Sequence, residues 1–199
     1  MTQSVDYYFA AVSPWAYLGH ARFVKIVRDT GAAVRVKPMD LGVVFPASGG
    51  LPVSKRAPQR QAYRLLELKR FSEWLGIALN PQPAFFPVAG DDAARLIIAA
   101  ALTHSIAAAL DLARRVGAAI WAEERNVADA AVLRTLLDEA GLDATLLQRA
   151  AEPAVAQQYL ANTREAMAAG VFGAPSYVIA GELFWGQDRL EFVERRLRR

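Results

Sequence analysis

Cysteine is absent from this chain of 199 residues. That absence excludes disulfides, thiolate metal sites, a cysteine nucleophile and any redox pair carried by the protein itself. Histidine is nearly absent too. Only His20 and His104 occur, which leaves poor material for a metal site, and no metal is expected. The chain also lacks a long hydrophobic run. Its most apolar window, Leu96 to Leu110, is shorter than the ~20 residues of a membrane span and contains Thr103, His104 and Ser105. It reads as a buried helix of a soluble bundle, with no membrane partner. No n-region and h-region leader is visible, because Met1-Thr2-Gln3-Ser4 leads straight into a strand pattern; the expected location is cytoplasmic. Charge of one sign is scarce: the net is +3, with four arginines in the closing "ERRLRR". Without a dense basic stripe interleaved with aromatics, nucleic-acid binding is not expected, and the arginines read as a solvated terminal helix.

What is present is apolar. Hydrophobic residues make up 54% of the chain, enough for one large domain or one domain with a sizeable insertion. Val5 to Phe9 reads as a buried strand. Pro14 to about Asp29 carries Leu18, Ala21, Phe23, Ile26 and Val27 at helical spacing, and Gly31 ends it. "AVRVKPMDL", 33–41, is a second strand, so the start is a β-α-β unit with parallel strands. Residues 42–58, "GVVFPASGGLPVSKRAP", read as a long irregular loop. From Gln59 to about Gly170 the pattern is helical, with Tyr63, Leu66, Phe71 and Leu75 near one face of the first helix and breaks at Gly90, Gly117, Gly141 and Pro153. Ser176–Ile179 and Glu182–Trp185 form a hairpin around Ala180-Gly181. A last helix runs from Asp188 to Leu197. The order is βαβ, a helical block, then ββα.

Three stretches can carry chemistry. In "AAVSPWAYLG", Ser13 and Pro14 suit the cap and first position of a helix. No G-x-S-x-G elbow surrounds Ser13, and His20 lies two turns down the same helix pointing away, so a catalytic triad is discarded. In "FGAPS", Pro175 opens a strand, where it contributes no N–H. In "WGQDRL", Asp188 suits the N-cap of the last helix, whose free N–H groups attract anions.

Their combination resembles a known family. A βαβ unit whose helix starts with a small residue and proline, a helical insertion, then "aPs/t" before ββα resembles the DsbA-like thioredoxin fold. Ser13-Pro14-Trp15-Ala16 stands where that fold carries Cys-Pro-x-Cys. "SPWAYLG", "AYRLLELKRFSEWLGI" with "FFP", and above all "GVFGAPSYVIAGELFWGQDRL" resemble the branch of 2-hydroxychromene-2-carboxylate isomerases and kappa-class glutathione transferases, over essentially the whole chain. The implied fold is α/β, with residues 1–58 and 168–199 as a thioredoxin-like glutathione-binding domain and 59–167 as a helical insertion.

The resemblance implies glutathione as cofactor, so that the thiol arrives with the ligand. Ser13 would be the catalytic residue, donating to the glutathione sulfur. Lowering a thiol pKa from ~8.5 by two units takes ~2.7 kcal/mol; a hydrogen bond to a charged group supplies ~1.5–3 and a helix dipole ~0.3–1. Ala174, before a cis Pro175, would pair its backbone with the cysteinyl part. Gln187, Asp188 and Arg189 would hold the γ-glutamyl end and Arg60 the glycyl end, with loop 42–58 closing over them. Gly49-Gly50 stands where the kappa pattern has an asparagine. Trp15, Phe85, Phe86 and Trp185 would line the pocket of a small aromatic carboxylate substrate. The implied reaction is thiolate addition to an unsaturated keto acid, bond rotation and elimination, in a homodimer. Two alternatives stand beside it: a kappa-type transferase or peroxidase acting on electrophiles, and a non-catalytic glutathione- or partner-binding module.

Overall fold

In the computed structural model, which describes residues 3–199, the strand β1 (Ser4–Phe9) lies inside the sheet and is buried on both faces. Met1 and Thr2, which carry part of the leaderless reading, lie outside the described residues. Val5, Tyr7 and Phe9 enter one core while Tyr8 and Ala10 enter a second, the alternation of a strand covered from both sides. β1 pairs in parallel with β2 (Ala33–Pro38) and antiparallel with β3 (Ser176–Ile179), which pairs antiparallel with β4 (Glu182–Trp185); the order is β2-β1-β3-β4. In the β3–β4 turn, Ala180 and Gly181 have φ of 48° and 82°, positive at both central positions as a tight type I′ hairpin turn requires.

Helix α1 (Pro14–Thr30) connects β1 to β2. Six helices then precede β3 beyond a short α2 (Leu41–Ser48): α3 (Pro58–Leu75), α4 (Asp91–Thr103), α5 (Ile106–Trp121), α6 (Ala130–Glu139), α7 (Thr145–Ala150) and α8 (Pro153–Ala168). After β4 comes α9 (Leu190–Leu197). The larger core takes Tyr7 from the sheet, Phe23 from α1, Leu96 from α4, Leu112 from α5 and Leu133 from α6. Helical block and sheet therefore share one interior, each large side chain buried there contributing ~1.5–3 kcal/mol. The smaller core, with Met39, Val44 and Ala166, covers the other face beneath α2 and α8. This is the DsbA-like arrangement that the resemblance implies. Among the described residues no helix is long and apolar enough to cross a membrane.

Four local expectations are corrected. Residues 42–58 are not all loop: α2 occupies 41–48, capped by the Asp40 carboxylate, which accepts from the Gly42 amide at 2.7 Å. Pro46 is tolerated because so short a helix forfeits only one internal bond to it. Leu96–Leu110 is two helices, not one, broken at His104 and restarted by Ser105, whose Oγ accepts from the Ala108 amide at 3.0 Å; Gly117, taken as a break, lies inside α5. The buried residues of α3 are Arg64 and Leu68, while Tyr63 is 56% exposed and Leu66 is exposed with it. Lastly, Asp188 caps nothing: Gln187–Arg189 form a 3-10 turn ahead of α9, which has no side-chain cap, and the Asp188 carboxylate pairs with Arg189 at 2.7 Å.

Candidate active site

A cleft of about 1010 Å³ lies between the start of α1, the segment from α2 into α3, and the turn between β4 and α9. Of the expected residues, Trp15, Arg60, Ala174, Trp185, Gln187, Asp188 and Arg189 line it. Ser13, Pro175, Phe85 and Phe86 do not.

Ser13 is 7% exposed and caps α1: its Oγ accepts from the Ala16 amide at 3.2 Å. A hydroxyl that accepts through oxygen still has its proton to donate, and no acceptor within the chain takes that proton among the described residues. Two residues on, Trp15 faces the cleft and meets Phe71 edge-on, ring centres 5.9 Å apart. The opposite wall begins at Ala174. Its peptide bond to Pro175 is cis, and neither its amide nor its carbonyl is bonded to another backbone group among the described residues. The Pro175 carbonyl, in contrast, accepts from the Gly186 amide at 2.9 Å, which anchors the loop to the hairpin.

The β4–α9 turn is pinned to α1. Arg22 donates to both the side-chain and, at 3.0 Å, the backbone oxygen of Gln187. Gly19 permits this approach, since a Cβ there would stand 2.7 Å from the Gln187 Cβ. Gln187 is thus 2% exposed and offers a ligand only its amide N–H groups. Asp188 and Arg189 form an exposed pair; such pairs contribute ~0–1 kcal/mol, so a zwitterionic ligand can open it at little cost.

The cleft is electropositive. Four arginines line it, at 56, 60, 64 and 189, against two carboxylates, Glu67 and Asp188, which already pair with Arg70 and Arg189 at 2.7 Å. Arg56, Arg60 and Arg64 have no carboxylate partner among the described residues. Arg56 donates to the Leu51 carbonyl at 2.8 Å and lies 5.8 Å from the Phe45 ring centre. Arg64 is only 8% exposed, over Phe86 and Trp121 at 5.4 and 5.8 Å. Burial, with Arg56 nearby, lowers its pKa to about 10. None of its guanidinium nitrogens is buried without a partner, so its head group reaches the cleft while the two rings cover it from behind. A cation that faces a cleft with no acceptor of the chain on it among the described residues is a candidate anion contact.

Sequence reasoning missed Arg64. Its signal was present: Arg60, Arg64, Glu67 and Phe71 recur at helical spacing, but the α3 stripe was sought among apolar residues. Phe85 and Phe86 are corrected for a related reason. Phe86 packs against Trp121 with ring centres 4.7 Å apart and planes tilted by 47°, forming the layer behind Arg64 rather than the cleft wall, and Phe85 is exposed elsewhere. Gly49 and Gly50 do line the cleft. A Cβ on Gly50 would stand 2.5 Å from the Phe45 ring, so this chain fills with Phe45 the space beside the position where an asparagine was expected.

Comparisons with known proteins agree with this fold. Residues 4–198 match the DSBA-like thioredoxin domain family. The 2-hydroxychromene-2-carboxylate isomerase of Sphingobium xenophagum is 27% identical over 206 residues, 98% of this chain and 97% of that protein. The isomerase of the same description from Pseudomonas putida is 30% identical over 96% of this chain and 92% of its own length. Human glutathione S-transferase kappa 1 is 23% identical over 97% of this chain and 90% of that protein. A solved 2-hydroxychromene-2-carboxylate isomerase superposes with a TM-score of 0.80 at 27% identity, covering 96% of this chain and 93% of that one. These relatives are enzymes, and the likeness covers nearly the whole length of the chain. With a serine at the start of α1 and no cysteine anywhere, the chain belongs to the DsbA-like thioredoxin family, in the branch that holds the 2-hydroxychromene-2-carboxylate isomerases and the kappa-class glutathione transferases.

Proposed function

We propose that the protein is a glutathione-dependent isomerase of the 2-hydroxychromene-2-carboxylate type. The observation that carries the reading is Ser13, a helix cap whose hydroxyl proton is unspent, at the position where redox relatives place a cysteine. The chain's own groups fit glutathione. The free backbone of Ala174 suits the cysteinyl peptide, and the exposed Asp188–Arg189 pair suits the γ-glutamyl ammonium and carboxylate. Arg60, without a carboxylate partner at the rim of the cleft, suits the glycyl end.

Bound glutathione supplies a thiolate for reversible addition to an electron-poor double bond. Ser13 lies just short of the cleft lining, two residues before Trp15, so the sulfur must reach the start of α1 to accept from its hydroxyl, and the helix there adds the positive end of its dipole. Trp15, Trp185 and Phe71 offer ring faces on which a planar substrate can rest. The arginines neutralise its carboxylate and hold it in a fixed position over the sulfur.

The test is the isomerisation of 2-hydroxychromene-2-carboxylate, followed by absorbance with and without glutathione. Turnover is expected only with glutathione. Ser13→Ala should lower kcat/KM by about 10- to 100-fold, the equivalent of one hydrogen bond to a charged group. Conjugation of glutathione to 1-chloro-2,4-dinitrobenzene without isomerisation would replace this reading by a transferase, and glutathione binding with neither reaction by a binding module.

A further inference from the structure

The arginines of the cleft are not equivalent. Arg56 is spent on the Leu51 carbonyl and the Phe45 ring, and Arg189 on Asp188. Arg60 is exposed at the rim. Arg64 lies one turn further along α3, towards Phe71 and hence towards Trp15 and the start of α1. It is the buried member of the set, lying over the neighbouring Phe86 and Trp121 rings, with no hydrogen-bond acceptor of the chain on its guanidinium among the described residues. A guanidinium backed by aromatic rings and free of acceptors keeps its planar fork of donors for one planar, bidentate anion.

We infer that Arg64 is a specificity-determining residue that takes the carboxylate of a planar aromatic co-substrate, leaving Arg60 to the tripeptide. The inference rests on the function proposed above. Two anions must enter the cleft together, and two arginines, one at the rim and one inside, are there to receive them. The inner one is on the aromatic side, where a flat ring rather than a peptide fits. A neutral analogue placed there would cover the guanidinium and displace its water without pairing it, so the site should reject it more strongly than a cation on the open surface could. Despite its lowered pKa of about 10, Arg64 stays charged at neutral pH.

The test uses salicylate and salicylamide, which differ in charge and scarcely in shape. Each is titrated calorimetrically into the full-length protein with and without saturating glutathione. Salicylate should bind at least about tenfold more tightly than salicylamide. Arg64→Met should abolish that preference while the calorimetric Kd for glutathione changes by less than about twofold, and Arg64→Lys should restore part of it. Two results overturn the inference: equal binding of the two probes by the wild type, or a loss of glutathione affinity in Arg64→Met with the carboxylate preference intact, which would assign Arg64 to the tripeptide. If Arg64→Met does not fold, the wild-type comparison and Arg64→Lys decide. A carboxylate preference that depends on Arg64 in a protein without isomerase activity would uphold the inference and remove only the proposed reaction.

Discussion

Ser13 and Arg64 show which residues a sequence can reveal. Ser13 stands out because the helix start follows fixed chemistry, with a small polar cap and then proline, and because a missing cysteine raises the question of what replaces it. Arg64 is hidden because a charged residue inside a helix reads by default as solvated, and only packing shows that it sits over two rings. His20 belongs to the same hidden class. It is 4% exposed, and its Nδ1 shares a hydrogen bond with the Tyr7 hydroxyl at 3.3 Å. Burial lowers its pKa from 6.5 to about 4. The folded protein thus keeps His20 neutral while the unfolded chain protonates it below about pH 6.5. Stability from this group is complete above that pH and declines as the pH falls towards 4, by roughly 3 kcal/mol at most. Urea midpoints at pH 7 and pH 4.5 check this. His20→Gln, which keeps a donor and an acceptor, should lose less stability between them than the wild type.

At the scale of elements, those with a strong period were legible and those built around exceptions were not. β1, α1, β2 and the β3–β4 hairpin declare themselves by alternation, helical spacing and turn residues. α2 does not, because Gly42 and Pro46 within eight residues read as a loop until Asp40 is seen to cap it. The 3-10 turn at Gln187–Arg189 was missed because its cause, a Gly186 φ of 105° with the Arg189 amide donating to the Gly186 carbonyl at 3.2 Å, is not visible as a pattern. The link between α2 and α3 carries the element-scale prediction. Gly50→Asn would restore the residue type of the kappa pattern but drive a Cβ into Phe45, 2.5 Å from its ring and 3.2 Å from its backbone. Such overpacking costs about 1–3 kcal/mol, and for a chain of this size each lowers the melting temperature by roughly 2–4 °C. Glutathione affinity should fall, not rise, because Phe45 and Leu51 wall the cleft. Thermal melts and calorimetric titration read the two effects separately.

For the whole molecule, the βαβ…ββα order was legible because neither end of the chain could bury both faces of its strands alone, and its DsbA-like character because the Ser13-Pro14 and Ala174-Pro175 stretches resemble that family. What could not be read was how the helical block meets that sheet. Tyr7, Phe23, Leu96, Leu112 and Leu133 come from five different elements and lie in one interior. An insertion joined in this way cannot melt first and leave the rest standing, because Tyr7 and Phe23 would lose their packing with it. Heating should therefore give a single calorimetric peak whose measured enthalpy equals the van't Hoff value, with loss of the cleft's tryptophan signal and loss of helical dichroism at the same temperature. A protein of this design has no partly unfolded form to populate: ligand entry must be accommodated by rearrangements smaller than an element, while the frame around it is either intact or gone.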